Sequence, residues 1–158
     1  MKESHEYYMN VAFEESFISV RNNLGGPFGA VVVMDGEIIG KGGNRVLEQN
    51  DPTAHAEIMA IREACKSING TDLAGSVLYT TCEPCPMCFS AIYWANIQTV
   101  YFTMTRMDAG SMGFRDNHLY EELNVPVNER MIDFVQLNHH KASSLLKEWN
   151  AKPDKTLY

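Results

Sequence analysis

A chain of 158 residues with 45% hydrophobic and 21% charged residues has the length of one domain and the composition of an ordinary soluble globular protein, which excludes intrinsic disorder. At that length roughly 70% of the unfolded surface is buried on folding, so no disulfide framework is needed. The formal net charge of −7 repels phosphate backbones, and no Lys/Arg run offsets it, so nucleic acid is a poor partner. Met1 to Glu6 has no apolar signal core, and no apolar run is long enough to span a membrane. The expected location is the cytoplasm, where Cys65 and Cys82 read as small buried apolar residues.

Ser4 can cap a first helix running to about Asn22, with Phe13, Phe17 and Val20 near one face. Leu24-Gly25-Gly26-Pro27 breaks it. Phe28 to Met34 is an apolar, β-branched strand, Asp35-Gly36 a type I′ hairpin turn, and Glu37 to Lys41 the returning strand. Asp51-Pro52-Thr53 opens a helix to about Ser67, capped by Asp51 or Thr53, with Ile58, Ile61 and Ala64 or Cys65 toward the sheet. Val77 to Thr81 is a third strand. Pro84 or Pro86 starts a helix ending near Asn96, and Thr99 to Met104 is a fourth strand. That spacing implies a parallel crossover. A loop from Asp108 to Asn117 precedes a helical stretch at His118 to Leu123. Met131 to Leu137 is expected as a fifth strand, and Ser143 to Trp149 as part of a C-terminal helix with a tail from Lys152 to Tyr158. The fold class is α/β: three layers, α/β/α, around a mixed five-stranded sheet.

Two motifs carry chemistry, His55-Ala56-Glu57 and Pro84-Cys85-Pro86-Met87-Cys88. One imidazole and two thiolates bind zinc with a fourth position open for water, the catalytic pattern. Glu57, two residues after His55, sits near the metal but to one side, placed to take a proton. Each half-site falls at a helix start, whose positive end favours thiolate at Cys85 and Cys88. Two other readings stand beside it. Cys82 could close a structural zinc site, and Cys82-x-x-Cys85-x-x-Cys88 brushes an iron–sulfur run, although the usual fourth cysteine is missing.

His-x-Glu followed by Pro-Cys-x-x-Cys is the signature of zinc nucleobase deaminases. With Pro27-Phe28-Gly29-Ala30, Asn44 and Asn50 to Glu57, the chain resembles the cytidine deaminase-like superfamily. Gly25 to Ala30, Ala91-Ile92-Tyr93-Trp94-Ala95, Gly113-Phe114-x-Asp116 and a terminal tyrosine make it similar to the bacterial guanine deaminase branch. The resemblance implies one zinc per chain on His55, Cys85 and Cys88, with Glu57 shuttling protons. It implies that Asn44 hydrogen-bonds the base, Phe28 stacks on it, the Ala56 N–H meets the reacting end, and Trp94 and Asp116 line the pocket. It implies a homodimer exchanging C-terminal segments, about residues 140–158, so that Tyr158 caps the partner's pocket. The activity implied is hydrolytic deamination of a free purine base, guanine to xanthine and ammonia by attack at C2. Arg115, where the branch commonly has a second acidic residue, and Thr105 to Met112 depart from the pattern.

Taken alone, several of these residues also read plainly: Asn44 as a turn residue, Phe28 and Trp94 as core, Asp116-Asn117 as a helix cap, Tyr158 as a frayed end. His5, His118, His139 and His140 read as surface histidines. The competing functions are tRNA adenosine deaminase, which needs a basic face, cytosine or cytidine deaminase, which shares the chemistry, and a structural zinc module. Glu57 argues against the last, since a closed site has no use for an unliganded carboxylate.

Overall fold

The computed structural model describes residues 3–157, in two compact units, Met1–Tyr120 and Glu121–Tyr158. The first is built on β1 (Gly29–Met34), whose successive side chains point to opposite faces. Ala30 and Val32 enter one core with Ala60, Ile61, Leu78 and Ile92. Val31 and Val33 enter another with Tyr8, Ala12 and Tyr79. An unbroken apolar run is what a strand covered on both faces requires. Asp35 and Gly36 both have positive φ, 53° and 89°, as a type I′ turn demands. The chain returns antiparallel as β2 (Glu37–Gly43), with one register shift between Val32 and Val33. A short helix, α2 (Val46–Gln49), leads to α3 (Ala56–Ser67). β3 (Val77–Cys82) pairs antiparallel with β1 on its other side. Then α4 (Pro86–Trp94) crosses to β4 (Thr99–Met104), parallel to β3 as the spacing implies. With α1 (His5–Arg21) on one face of the sheet and α3 and α4 on the other, the layers are α/β/α.

The sheet is mixed but has four strands, ordered β2-β1-β3-β4, not five. Met131 to Leu137 forms no strand and lies in the second unit, where no other strand offers a ladder. Its apolar residues, Met131, Ile132, Phe134, Val135 and Leu137, fall on both sides of an extended chain, so alternation specifies no buried face.

The first helix also differs from expectation in its inward face. Ser4 caps it, accepting from the Tyr7 N–H, but the buried residues are Tyr8, Ala12, Glu15, Ser16 and Ser19. Phe17 and Val20 are about half exposed, at 50% and 47%. The reason is close approach. A Cβ on Gly29 would strike the Ala12 carbonyl, and one on Gly43 would strike Ser19 Oγ. Only small residues fit between backbones that near. On the other face, Gly40 meets Ala60 and Ala64 of α3 in the same way.

After β4 come α5 (Arg106–Ser111) and α6 (Asp116–Asn124). The second unit continues with a 3₁₀ turn at Val127–Glu129 and α7 (His140–Ala151). Ala142, Leu145, Leu146 and Trp149 form one apolar stripe of α7, and none of the unit's described residues is buried. Among the described residues no helix is long and apolar enough to cross a membrane.

The close approach makes a prediction. Gly29→Ala forces backbone apart and lowers unfolding free energy by about 1–3 kcal/mol or more. Gly110→Ala, in α5 with nothing within 4 Å of the new methyl, is neutral or gains about 0.5–1 kcal/mol. Urea denaturation of the two variants checks the contrast, and equal midpoints would show that α1 does not rest on Gly29.

Candidate active site

Two helices on one face of the sheet begin with a metal-binding side chain. His55 is the N-cap of α3 and Cys85 the N-cap of α4, both in extended backbone, and neither side chain caps its own helix. The helix thus starts later than the expected Asp51 or Thr53. Asp51 instead accepts from both the N–H and the hydroxyl of Thr53, at 2.8 and 2.7 Å, a local turn that competes with helix. Pro86 takes the first position of α4, where a missing N–H is harmless, and Cys88 follows in the same turn.

His55 Nδ1 lies 3.6 Å from Cys85 Sγ and 3.6 Å from Cys88 Sγ. A tetrahedral zinc with Zn–N of about 2.0–2.1 Å and Zn–S of about 2.3 Å has an N···S edge of about 3.6 Å. The three ligand atoms lie within 4.8 Å of one another, so the set fits one zinc ion per chain. Cys82 stands apart. Its Sγ donates to the Thr105 carbonyl at 3.6 Å, and burial pushes its thiol up to about 12. It therefore stays protonated, and the group of three leaves a fourth position open.

The site's protons are unevenly held. The Cys88 hydrogen bond, aided by His55, brings Cys85 down to about 4. The same bond, with burial and the Glu57 charge, pushes Cys88 far up, and its thiol donates to Glu57 Oε2 at 3.4 Å. His55 is raised by its hydrogen bond to Cys85. Burial raises Glu57 to about 7 and also raises Asp116, with the Cys85 charge adding to it. By themselves the protein groups settle on one thiolate.

A cavity of about 430 Å³ opens over this centre, lined among others by Phe28, Asn44, His55, Glu57, Cys85 and Asp116. The Asn44 amide is oriented by its neighbours: Oδ1 accepts from the N–H groups of Gly26 and Val46, each at 3.2 Å. Both acceptor positions are then used, which leaves the Nδ2 hydrogens as the group offered to the cavity. Ala56 is fully buried as the first residue of α3, where backbone N–H groups lack intrahelical partners. Trp94 does not line the cavity of its own chain; it is 67% exposed at the end of α4, beside exposed Tyr93. Tyr158 lies outside the described residues. The lining also includes residues that the sequence reading did not single out, among them Val46, Leu47, Glu83, whose Oε2 accepts from the Arg106 N–H at 3.0 Å, and Phe114. Glu83 directly precedes the Pro84 to Cys88 motif, and Phe114 stands two residues before Asp116.

The model of the family described as the cytidine and deoxycytidylate deaminase zinc-binding region matches residues 2–104. The chain belongs to this family of zinc deaminases. It is 43% identical over 155 residues to the guanine deaminase of Bacillus subtilis strain 168, covering 98% of this chain and 99% of that one. The X-ray structure of guanine deaminase from Bacillus subtilis superposes with a TM-score of 0.94, covering 99% of both chains at 43% identity. A tRNA-specific adenosine deaminase of Aquifex aeolicus is 36% identical over 93% of this chain and 94% of its own.

The ligand set predicts that Cys85→Ala loses nearly all zinc and Cys82→Ala almost none, read by metal analysis. Because Cys88 holds a proton that a metal must displace, zinc uptake by apoprotein at pH 7 releases at least about one proton per chain. Titration in buffers of different ionisation enthalpy reads that number, and a value near zero would contradict the proton placement.

Proposed function

We propose that the chain is a guanine deaminase acting on the free base, and that its product is xanthine. The observation that carries this reading is the extent of the likeness: it spans 98% of the chain and 99% of the Bacillus subtilis guanine deaminase, so it continues into the second unit.

A zinc ion on His55, Cys85 and Cys88 supplies Lewis acidity and a water whose pKa falls to about 7. Every other task belongs to this chain's side chains. Glu57, raised to about 7 by burial, takes and returns a proton near neutral pH, the range a general acid–base needs. It carries one proton of the water to a ring nitrogen and the second, from the hydroxyl then on C2, to the departing amine. The C2–N bond breaks, the water oxygen stays on C2, and ammonia leaves. The Asn44 Nδ2 hydrogens donate to acceptors on the purine edge, Phe28 offers its ring face, and the Ala56 N–H sits at the reacting end. Asp116, whose carboxyl is raised by burial, faces the same cavity.

The Aquifex aeolicus likeness favours a second reading, adenosine in tRNA. The formal charge of −7 opposes it, since a polyanion needs a cationic face. Ammonia release from guanine, adenine, cytosine, cytidine and tRNA, compared side by side, separates the readings. Guanine is expected to lead, and salt-sensitive tRNA binding with adenosine turnover would overturn it. Glu57→Gln keeps the zinc and lowers guanine turnover at least about 10²–10⁴-fold; activity above a tenth of wild type would assign the proton transfer elsewhere.

The reading includes a cytoplasmic homodimer acting in purine breakdown. All four cysteines are free thiols, which suits a reducing compartment. On α4, Phe89, Tyr93 and Trp94 are 55%, 75% and 67% exposed, and contiguous exposed aromatics mark association surfaces. The apolar stripe of α7 adds a second such surface. In the dimer, residues 140–158 cross to the partner and Tyr158 caps its pocket. Equilibrium sedimentation is expected to give a dimer. Deleting Lys152 to Tyr158 should keep zinc while guanine kcat/KM falls at least about tenfold, roughly 1.4 kcal/mol. Mixing the truncated chain with full-length Glu57→Gln should restore part of it. Unchanged kinetics in the truncated chain would sink the crossing tail.

A further inference from the structure

The geometry points to Phe114 as a specificity-determining residue that sizes the pocket for a fused two-ring base. This inference rests on the purine reading above. Phe114 lines the cavity and meets Phe28 edge to face, ring centroids 4.8 Å apart and planes at 73°. One ring thus presents a face and the other closes the corner at nearly a right angle, a preferred aromatic arrangement.

The position of Phe114 is set by backbone. Helix α5 ends at Ser111 with Met112 as C-cap, and Gly113 has φ +96°. The Gly113 N–H donates to the Gly110 carbonyl at 3.0 Å, and the Phe114 N–H to the Ala109 carbonyl at 3.1 Å. Those two bonds and the left-handed glycine are a Schellman motif, with Phe114 as the residue just past the glycine, the one that turns back toward the helix. Ala109, its bonding partner, is fully buried. Phe114 is therefore aimed at Phe28 by a helix terminus and not by a free loop. The third side of the corner is Gly26: a Cβ there would come within 3.0 Å of Phe114 Cζ and 3.1 Å of Phe28 Cδ2. A methyl there would press on both rings.

The chemistry assigns the two halves of the base. The attacked carbon belongs to the six-membered ring, so that ring must lie over Glu57 and His55. The five-membered ring falls to the remaining lining, whose aromatic members are Phe28 and Phe114. A one-ring pyrimidine forgoes that part of the contact. A substitution at Phe114 should therefore weaken a bicyclic ligand and spare its monocyclic half.

The experiment uses full-length, zinc-loaded protein and two unreactive ligands, hypoxanthine and pyrimidin-4-one, the second being the first without its five-membered ring. Each is titrated by ligand-observed NMR, so turnover is not needed. Phe114→Ala is expected to weaken hypoxanthine about tenfold, roughly 1.4 kcal/mol, and pyrimidin-4-one less than about twofold, with zinc content unchanged. Phe114→Leu falls between. Gly26→Ala, which leaves both rings in place but pushes on them, moves hypoxanthine in the same direction. Equal losses for both ligands, or none for either, overturn the role of Phe114. A wild type that binds no purine sinks the guanine reading itself, and metal analysis with thermal melting separates either result from misfolding.

Discussion

The site depends on two helix N-caps meeting over one face of the sheet. An N-cap residue has extended backbone, so its side chain can leave the helix axis sideways. His55 and Cys85 use that freedom toward each other instead of toward their own helices. The resulting N···S edges of 3.6 Å tolerate little movement, since a tetrahedral zinc has fixed bond lengths. The sheet supplies the rigidity. The β3–α4–β4 crossover places the start of α4 just past the end of β3. Gly40 with Ala60 and Ala64 lets α3 lie almost backbone to backbone on β2. Larger residues there would lift α3 and carry His55 away from the thiolates.

That placement also gathers negative charge. Cys85, Glu57 and Asp116 line one cavity and Cys88 bonds to Glu57 beside it, and burial works against ionising any of them. The groups respond by sharing protons, with Cys85 as the thiolate and Cys88 and Glu57 joined by a hydrogen bond. A doubly charged cation is the natural complement to such a set, because it stabilises the deprotonated thiolates that burial alone disfavours. The open fourth position and the near-neutral carboxyl of Glu57 follow from the same crowding. A closed site of one nitrogen and three sulfurs would need Cys82, which instead spends its proton on Thr105.

Much of this was legible in the sequence, and the reasons are local. The Asp35-Gly36 turn, the Ser4 cap and the metal motifs are short-range signals whose meaning does not depend on distant residues. The failures are tertiary. Phe17 and Val20 look like a core stripe, yet α1 turns Ala12, Ser16 and Ser19 inward, with Tyr8 beyond them, because Gly29 and Gly43 bring the sheet close at those small residues. Met131 to Leu137 has strand composition, but a strand exists only where a neighbour completes its ladder. Helix α5 stands where a loop from Asp108 was expected, and its start is marked locally: Thr105 and Asp108 form a capping box, each side chain accepting from the other's N–H. Tyr158 and Trp94 entered through resemblance alone, since no spacing rule aims a terminus or an exposed indole at a pocket.

The glycines before β1 show how one residue type carries two meanings. In sequence, Leu24-Gly25-Gly26-Pro27 is a helix breaker, and α1 ends just before it, at Arg21 with Asn22 as C-cap. In the fold Gly25 and Gly26 line the cavity over the metal-binding group. A Cβ on Gly25 would collide with Asn44 Oδ1, and the Gly26 N–H donates to that same oxygen. Together with Val46 N–H they decide which end of the Asn44 amide faces the cavity. An amide turned the other way would present an acceptor and would select a different edge of a base. Gly26 also leaves the gap in which Phe28 and Phe114 meet. Hydrogen-bond polarity on one side of the pocket and aromatic spacing on the other are thus both set by two residues that have no side chains at all.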